Sequence, residues 1–268
     1  MEKKRSMSVV EKLKEHQKKE YREADHWYNL PSIRKLSRDR HRKGNQNSRS
    51  DREQLPRDGR NLIHTNPLAF LVGAVFNRGV HWKKAWEIPC CINQKGKLDA
   101  SKLAKMKKSE LVRLLKSLRV KPRYVDQGAE TLEDVATLVE RDFAGDTAAI
   151  WRDASPASVE KRLQRIRYVG PGIASMVTRI LHDDCGMFRG QEQEIDIKPD
   201  VRVRRVFERT GLTNSKSENE ARNAAWRLNP DFPGELDWPA FDIGGEWCVA
   251  SNPRCPSCPL TAVCPKHL

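Results

Sequence analysis

The sequence predicts an all-α protein, and three observations support this prediction. Apolar residues recur in several windows at the i, i+3, i+4, i+7 spacing of an amphipathic helix. Residues that suit the start of a helix precede these windows. No convincing run of alternating apolar and polar residues, the pattern of a half-buried strand, occurs in the 268 residues.

The predicted helices follow in chain order. Asn66 suits an N-cap and Pro67 the first helical position. The apolar run Leu68–Phe76 is therefore predicted to be a buried helix, ended by Asn77-Arg78-Gly79. Three later helices are predicted from a start residue and an apolar face, at Ser109, Thr131 (with Asp134 as capping partner) and Ser155-Pro156. One more helix is predicted at Glu218–Leu228.

Charge is distributed unevenly along the chain. The formal net charge is +14, and residues 1–60 carry 18 Lys/Arg against 10 Asp/Glu. We interpret residues 1–61 as a basic tail, partly disordered, with one amphipathic helix near Val9–Trp27. The surplus favours nucleic acid as a partner because phosphate neutralisation supplies affinity. No apolar run approaches membrane-spanning length, so we expect no membrane association.

The strongest local signal is a group of four cysteines near the C-terminus. Cys248, Cys255, Cys258 and Cys264 are spaced C-x6-C-x2-C-x5-C. Four thiolates this close can enclose one metal centre, either an iron–sulfur cluster or tetrahedral zinc. Only one C-x2-C pair is present, whereas zinc ribbons usually have two. Disulfides are the least expected state, since no secretory signal is seen and three other cysteines are left over.

Two further segments carry candidate functional residues. Gly170-Pro171-Gly172 lies between two predicted helices, where exposed backbone N–H groups at a helix start can hold a phosphate. Asp200 begins another predicted helix, at which position its carboxylate is stabilised as the anion. Asp196 also follows an apolar residue and is the alternative to Asp200 as the candidate functional carboxylate.

Together these motifs resemble those of the endonuclease III-like helix-hairpin-helix DNA glycosylases. The segment from Val169 to Ser175 is similar to the family's L-P-G-V-G-x-K-T-A hairpin, and Asp200-Val-Arg202-Val203 to its D-x-H-V segment. The cysteine spacing is similar to the family's [4Fe–4S] loop. The resemblance covers about residues 62–268 and leaves out the basic tail.

The resemblance implies an architecture. Two helical domains enclose a DNA cleft: a helical barrel with the hairpin at 62–185, and an iron–sulfur cluster domain at 186–268 that part of 1–61 joins. The four cysteines hold a [4Fe–4S] cluster of structural role. We expect a monomer that is cytoplasmic and nucleoid-associated in a prokaryote, or nuclear in a eukaryote.

The resemblance also implies a chemistry. Asp200 matches the family's catalytic carboxylate. Ala174 stands where bifunctional members carry a lysine nucleophile, and neither Lys161 nor Lys198 is expected in its place. We therefore expect a monofunctional enzyme that hydrolyses the N-glycosidic bond of a damaged, modified or mismatched base. Two alternatives stay open: a lesion-binding protein without catalysis, and a glycosylase/lyase that uses a relocated lysine.

The expected partner is double-stranded DNA with a damaged or modified base. Contacts are expected at the hairpin, in the turn after the first buried helix, beside Asp200 and in the cysteine loop, from Val169, Gly170, Gly172, Asn77, Arg78, His81, Arg202 and Arg254. Arg78 or His81 is the candidate wedge, and Trp82 the candidate for base stacking. The small Ala174 suggests room for a large or modified base.

Overall fold

The computed structural model describes residues 2–23 and 57–266. This part of the chain contains twelve α-helices and no β-strand, which confirms the predicted all-α fold. None of these helices combines the length and apolar content needed to cross a bilayer. The helices are α1 (Glu2–Glu23), α2 (Arg57–Thr65), α3 (Pro67–Val75), α4 (Trp82–Gln94), α5 (Ala100–Ala104), α6 (Lys108–Ser117), α7 (Val125–Phe143), α8 (Pro156–Leu163), α9 (Pro171–Cys185), α10 (Val201–Arg209), α11 (Glu218–Leu228) and α12 (Asp237–Glu246).

Where a predicted capping side chain does cap a helix, the helix begins at the predicted position. The Asn66 side chain accepts hydrogen bonds from the N–H groups of Leu68 (2.9 Å) and Ala69 (3.1 Å), which begins α3 where predicted. The predicted helix start at Thr131 is wrong. Thr131 is fully buried inside α7, where its hydroxyl donates to the Gln127 carbonyl at 2.9 Å. The pattern of Thr131 with Asp134 imitates a capping box, but the helix has already begun.

Helix α1 lies earlier than the helix predicted near Val9–Trp27. It spans Glu2–Glu23, and residues 24–27 of that prediction lie outside the described residues. Its buried face, Val9 and Leu13, packs with the C-terminal helices. His16 Nε2 lies 3.0 Å from Asp242 Oδ2 of α12, in a buried contact. Part of the basic segment is therefore an integral helix of the fold.

The buried apolar residues form two clusters. The first core contains residues of α2–α9 and extends from Ile63 to Ile195. The second core contains the buried face of α1 together with residues of α10, α11 and α12, and Leu260 of the C-terminal loop. The domain limits expected at 61/62 and 185/186 stay a prediction. The two cores meet where the candidate site lies.

Helices α10 and α12 pack against each other at a glycine. A Cβ at Gly244 would lie 2.8 Å from Arg202 Cβ and 3.0 Å from the Arg202 carbonyl oxygen. A Cβ at the next residue, Gly245, would meet only the end of the Arg202 side chain, with its Nη1 at 2.8 Å. The two adjacent glycines therefore differ in what their substitution disturbs.

We expect Gly244→Ala to lower the free energy of unfolding by about 1–3 kcal/mol, because a methyl group there must push α10 away from α12. Gly245→Ala is the matched control. It is expected to be neutral or stabilising, since the Arg202 guanidinium can move and alanine favours a helix. Denaturant unfolding of both variants measures the difference. Equal losses of stability would contradict the close packing at Gly244.

A half-buried carboxyl lies where α8 packs on α9. The Thr178 hydroxyl donates to Glu160 Oε1 at 3.2 Å. Burial raises the pKa of Glu160 to about 7, although hydrogen bonds from Ser175 and Thr178 lower it in part. The folded state therefore favours the protonated form of Glu160 more than the unfolded state does. The stability gained from this preference is fully present below the unfolded pKa of about 4.3 and is lost as pH rises through about 7.

We accordingly expect the Glu160→Gln variant, which cannot ionise, to gain stability relative to the wild type as pH rises from 5 to 8. Between pH 5 and 8, a shift of this size corresponds to roughly 2–3 kcal/mol. Denaturant unfolding across that pH range measures it, and Glu246→Gln, at an exposed carboxyl of α12, is the control. A stability difference between Glu160→Gln and wild type that does not change with pH would refute the burial effect.

Candidate active site and cysteine loop

A cavity of about 300 Å³ lies between the first and second cores. Its wall is formed by the turn between α3 and α4, by α9, by the segment 198–202 and by α12. We call this cavity the cleft. Asp200, the candidate carboxylate, is one of the residues that line it.

Asp200 is both the N-cap of α10 and a cleft residue. Its Oδ1 accepts hydrogen bonds from the backbone N–H groups of Arg202 (2.8 Å) and Val203 (3.0 Å). Among the described residues, no hydrogen bond to its Oδ2 is present. One oxygen thus fixes the side chain on the helix end, and the other is left for a ligand in the cleft. Asp196, the rival, forms an ion pair with Arg222 and does not line the cleft.

The hairpin joins α8 to α9 through Tyr168, Val169 and Gly170. The left-handed residue of the turn is Tyr168, with φ of 66°, and neither Gly170 nor Gly172 has a positive φ. The left-handed conformation in this turn therefore falls on a tyrosine and not on a glycine. A Cβ at Gly172 would lie 3.6 Å from Lys198 Cγ, which is an ordinary van der Waals contact.

The backbone N–H groups of the hairpin differ in whether they have a hydrogen-bond acceptor. The Val169 N–H donates to the Ile166 carbonyl at 3.0 Å. Within the described part of the chain, the N–H groups of Gly170 and Gly172 have no acceptor. These two groups lie at the start of α9, where they can hold a phosphate.

Ala174 is fully buried and lies outside the cleft wall. An alanine at this position therefore does not enlarge the cleft, contrary to the expectation of extra room for a base. The structure gives the small side chain a packing role in α9 instead.

The turn between α3 and α4 brings only part of its predicted residues to the cleft. Asn77, His81 and Trp82 line the cleft, and the His81 and Trp82 rings stack with centroids 5.6 Å apart. The Arg78 guanidinium lies 4.7 Å from the Tyr168 ring centroid and donates to Gln127 Oε1 at 3.3 Å. Arg78 is thus held against the hairpin and is absent from the cleft wall.

A buried ionic network supports the cleft and was not predicted from the sequence. Arg179 of α9 donates to Asp183 Oδ2 (2.9 Å) and, through Nε, to Asp237 Oδ2 (3.2 Å). The same Asp237 oxygen accepts the Lys198 backbone N–H at 3.0 Å. Burial raises the pKa of Asp237, while Arg179 opposes that shift. The network fixes the segment that carries Lys198 and Asp200.

Aromatic side chains of α12 form the opposite wall. The Trp238 and Phe241 rings stack with centroids 5.7 Å apart, and the Arg202 guanidinium lies 4.6 Å from the Phe241 centroid. This wall was not predicted from the sequence, because the aromatic residues of α12 lie about 40 residues beyond Asp200. Arg202, a predicted DNA contact, does line the cleft.

The four C-terminal cysteines lie around one small cavity. All four are half-buried, and their neighbours there include Val206, Ile243 and Leu260. No three His, Cys, Asp or Glu side chains in the described residues are close enough together to hold one metal ion.

The surroundings of the sulfur atoms suit a thiolate-ligated centre. The Leu260 N–H donates to Cys258 Sγ at 3.4 Å, and the Lys266 N–H to Cys264 Sγ at 3.3 Å. Arg209 Nη1 donates to Cys248 Sγ at 3.7 Å. Hydrogen bonds of this kind tune iron–sulfur clusters. Arg254, a predicted phosphate contact, is exposed in the same loop.

Comparison with solved structures identifies similar folds. Two endonuclease III–DNA complexes, one a trapped covalent intermediate and one non-covalent, match with TM-scores of 0.57 and 0.57 and identities of 19% and 18%. The matches cover 89% and 76% of this chain and 93% and 85% of those chains. A thermostable thymine-DNA glycosylase matches with a TM-score of 0.51 and 19% identity, over 74% of this chain and 83% of that chain.

No protein-family model and no curated protein sequence matches this chain. The structural matches show that the protein has the fold of endonuclease III and of the thymine-DNA glycosylase. The resemblance stated from the hairpin, the aspartate and the cysteines is thereby confirmed at the level of the fold.

We expect the purified protein to be brown, with broad visible absorbance and about four iron atoms per chain, if the cysteine loop holds a [4Fe–4S] cluster. Cys258→Ser should lower the iron content, because it removes one of four thiolate ligands. Cys90→Ser, which changes a half-buried cysteine of α4, should leave it unaltered. Colourless protein with one zinc per chain would establish the alternative metal.

Proposed function

We propose that the protein is a DNA glycosylase that hydrolyses the N-glycosidic bond of a base swung out of double-stranded DNA and leaves an abasic site. The observation that supports it most is the Asp200 carboxylate, which has one oxygen fixed by the helix cap and faces the cleft. This cleft lies in a fold that the chain shares with endonuclease III bound to DNA. A target base must leave the stack before a carboxylate in this cleft can reach its sugar, at a cost of a few kcal/mol.

The chemistry follows from the charge that develops at the sugar. As the base leaves, C1′ becomes positive, and a carboxylate in a water-poor cavity stabilises that charge. The free Oδ2 of Asp200 can also orient or deprotonate the water that attacks C1′. Two backbone N–H groups hold Oδ1, so the carboxylate needs no rearrangement when the sugar arrives.

The proposed path of the DNA uses both walls of the cleft. The N–H groups of Gly170 and Gly172 bind a backbone phosphate at the start of α9. His81 and Trp82 reach the duplex from the opposite turn, with His81 as the residue that fills the gap left by the base. Trp238 and Phe241 offer a ring face on which the swung-out base can stack, and such stacking tolerates any base.

The C-terminal loop is proposed to hold a [4Fe–4S] cluster through Cys248, Cys255, Cys258 and Cys264. Its role there is structural, because the loop is too short to have a core of its own. The exposed Arg254 is proposed to contact a phosphate on the same DNA.

The competing functions differ from the proposal in measurable products. A lesion-binding protein without catalysis would bind DNA and release no base. The hairpin has no amine at Ala174, which favours a monofunctional hydrolase over the lyase reaction of a hairpin lysine. The amine of Lys198, which lines the cleft, is the one observation that favours the glycosylase/lyase alternative.

We expect the wild-type protein to release a base from at least one duplex in a panel with uracil, hypoxanthine, alkylated, oxidised and mismatched bases. Asp200→Asn should reduce that release by about 10²-fold or more, since it removes the charge that stabilises C1′. Asparagine is an equally good N-cap, so α10 should keep its start. Alkaline cleavage at abasic sites measures the release.

Asp196→Asn is the matched control, because it makes the same chemical change four residues earlier and outside the cleft. It should retain most of the activity, once its thermal stability has been compared with that of the wild type. Release that survives Asp200→Asn but is lost in Asp196→Asn would reverse the assignment. Absence of release from every duplex, with DNA binding intact, would leave the binding protein as the function.

A further inference from the structure

Arg202 is a charged residue of the cleft wall whose guanidinium has no acceptor in the described part of the chain. The side chain is half-buried and lines the cleft. Its backbone N–H donates to Asp200 Oδ1 at 2.8 Å, but among the described residues the guanidinium forms no hydrogen bond and no ion pair. A guanidinium has five N–H donors and no acceptor. A ligand in the cleft therefore meets hydrogen-bond donors that the protein itself does not use.

The place of this side chain is set by α12. The Arg202 Cβ packs against Gly244, where an added Cβ would lie 2.8 Å from it. The guanidinium lies over the Phe241 ring, 4.6 Å from the ring centroid. A Cβ at Gly245 would lie 2.8 Å from the Arg202 Nη1, so that a side chain there would require the guanidinium to move. The two glycines and the aromatic ring thus define where the donors lie.

The other charged side chains of the cleft wall have partners or an assigned role. Asp237 accepts hydrogen bonds from Arg179 Nε and from the Lys198 backbone N–H. The Lys198 amine lies 3.4 Å from the Asn77 carbonyl oxygen and 3.5 Å from Asn77 Oδ1, which accept from it. Asp200 is assigned to the sugar in the proposed function. The guanidinium is therefore the charged group that is left to recognise a base.

The aromatic wall brings a stacked base close to this guanidinium. Trp238 and Phe241 are both half-buried, and their rings stack with centroids 5.7 Å apart. The guanidinium lies over one of these two rings. A base that stacks on the Trp238 ring is therefore beside the guanidinium, with one of its edges within reach of the N–H groups.

Bases differ in what their edges offer to a guanidinium. A purine with a carbonyl group at C6 presents two neighbouring acceptors, O6 and N7, which a guanidinium binds with two parallel hydrogen bonds. Adenine presents N7 beside an amino donor. In uracil an N–H donor separates the two carbonyl oxygens. A donor at either place would face a guanidinium N–H and leave it without an acceptor, which is the strongest basis for discrimination between similar ligands.

We propose that Arg202 is a specificity-determining residue that binds the O6 and N7 edge of a swung-out purine, so that the substrates are deaminated purines such as hypoxanthine. This inference rests on the proposed function, because it assumes that the cleft receives a base from a DNA strand. Guanine has the same edge, but a damaged or mismatched base leaves the stack at a lower cost than a base in a normal pair.

The test measures binding by the full-length Asp200→Asn protein, so that the base stays on the DNA. The duplexes differ only in one base, which is hypoxanthine, 7-deazahypoxanthine or adenine. The 7-deaza analogue has the size of hypoxanthine but lacks the N7 acceptor. We expect the hypoxanthine duplex to bind about tenfold more tightly than either of the others, because only hypoxanthine offers both acceptors.

Three further substitutions in the same Asp200→Asn protein test the role of the guanidinium. Arg202→Gln removes it, Arg202→Lys keeps the charge without the two parallel donors, and Gly245→Ala displaces it from its place. Each should reduce the preference for hypoxanthine over the 7-deaza analogue to about twofold or less. The preference is a ratio for one protein, so a general loss of DNA binding cancels. Thermal unfolding confirms that the variants are folded.

Arg204→Lys is the matched control, because Arg204 belongs to the same helix but does not line the cleft. It should leave the preference unchanged. Equal binding of hypoxanthine and its 7-deaza analogue by the Asp200→Asn protein would overturn the proposal. An unchanged preference in the Arg202 variants or in Gly245→Ala would also overturn it.

The proposal and the proposed function fail separately in these assays. A hypoxanthine preference that depends on Arg202, without release of any base by the wild-type protein, would contradict the hydrolytic role of Asp200 but support the recognition of deaminated purines. Release by the wild-type protein that is faster from uracil than from hypoxanthine, and is unaffected by Arg202→Lys, would support Asp200 and overturn the role of Arg202. Single-turnover release rates from the same duplexes measure this difference.

Discussion

The buried contact between Arg179 and Asp237 is the constraint on which the cleft depends. Arg179 belongs to α9, and Asp237 begins α12. Asp237 Oδ2 accepts a hydrogen bond from Arg179 Nε at 3.2 Å and another from the backbone N–H of Lys198 at 3.0 Å. One carboxylate thus connects three walls of the cleft. Removing one partner of such a buried pair typically costs about 3–5 kcal/mol, because the other charge is left uncompensated. The geometry of the cleft is therefore coupled to the packing of the first core on the second.

The sequence predicts well those features that depend on atoms close together in the chain. The caps at Asn66 and Asp200 involve N–H groups two and three residues away, so their residue types alone indicate the local structure. Thr131 shows the limit of this reasoning. Its side chain has the right type for a cap, but whether a helix starts there depends on the preceding residues, which are already helical in α7.

Features that depend on contacts across the chain could not be predicted in the same way. Gly172 marks the hairpin in the sequence, but its contact with the Lys198 stem involves a residue 26 positions later. The aromatic wall of Trp238 and Phe241 becomes part of the cleft only because α12 packs on α10. Likewise, α1 belongs to the second core through its contact with α12, although most of the chain separates them. Local patterns contain no information on these distances.

Asp200 and Lys198 place a carboxylate and an amine in one cleft, and their surroundings affect the charges of the two side chains differently. The helix cap holds Asp200 with two N–H groups that stabilise its negative charge. Burial without an ion pair lowers the pKa of Lys198 and so disfavours its positive charge. A full ammonium close to C1′ would oppose the positive charge that develops there as the base leaves, whereas a neutral amine does not. A neutral amine at Lys198 is therefore compatible with the base release proposed for Asp200.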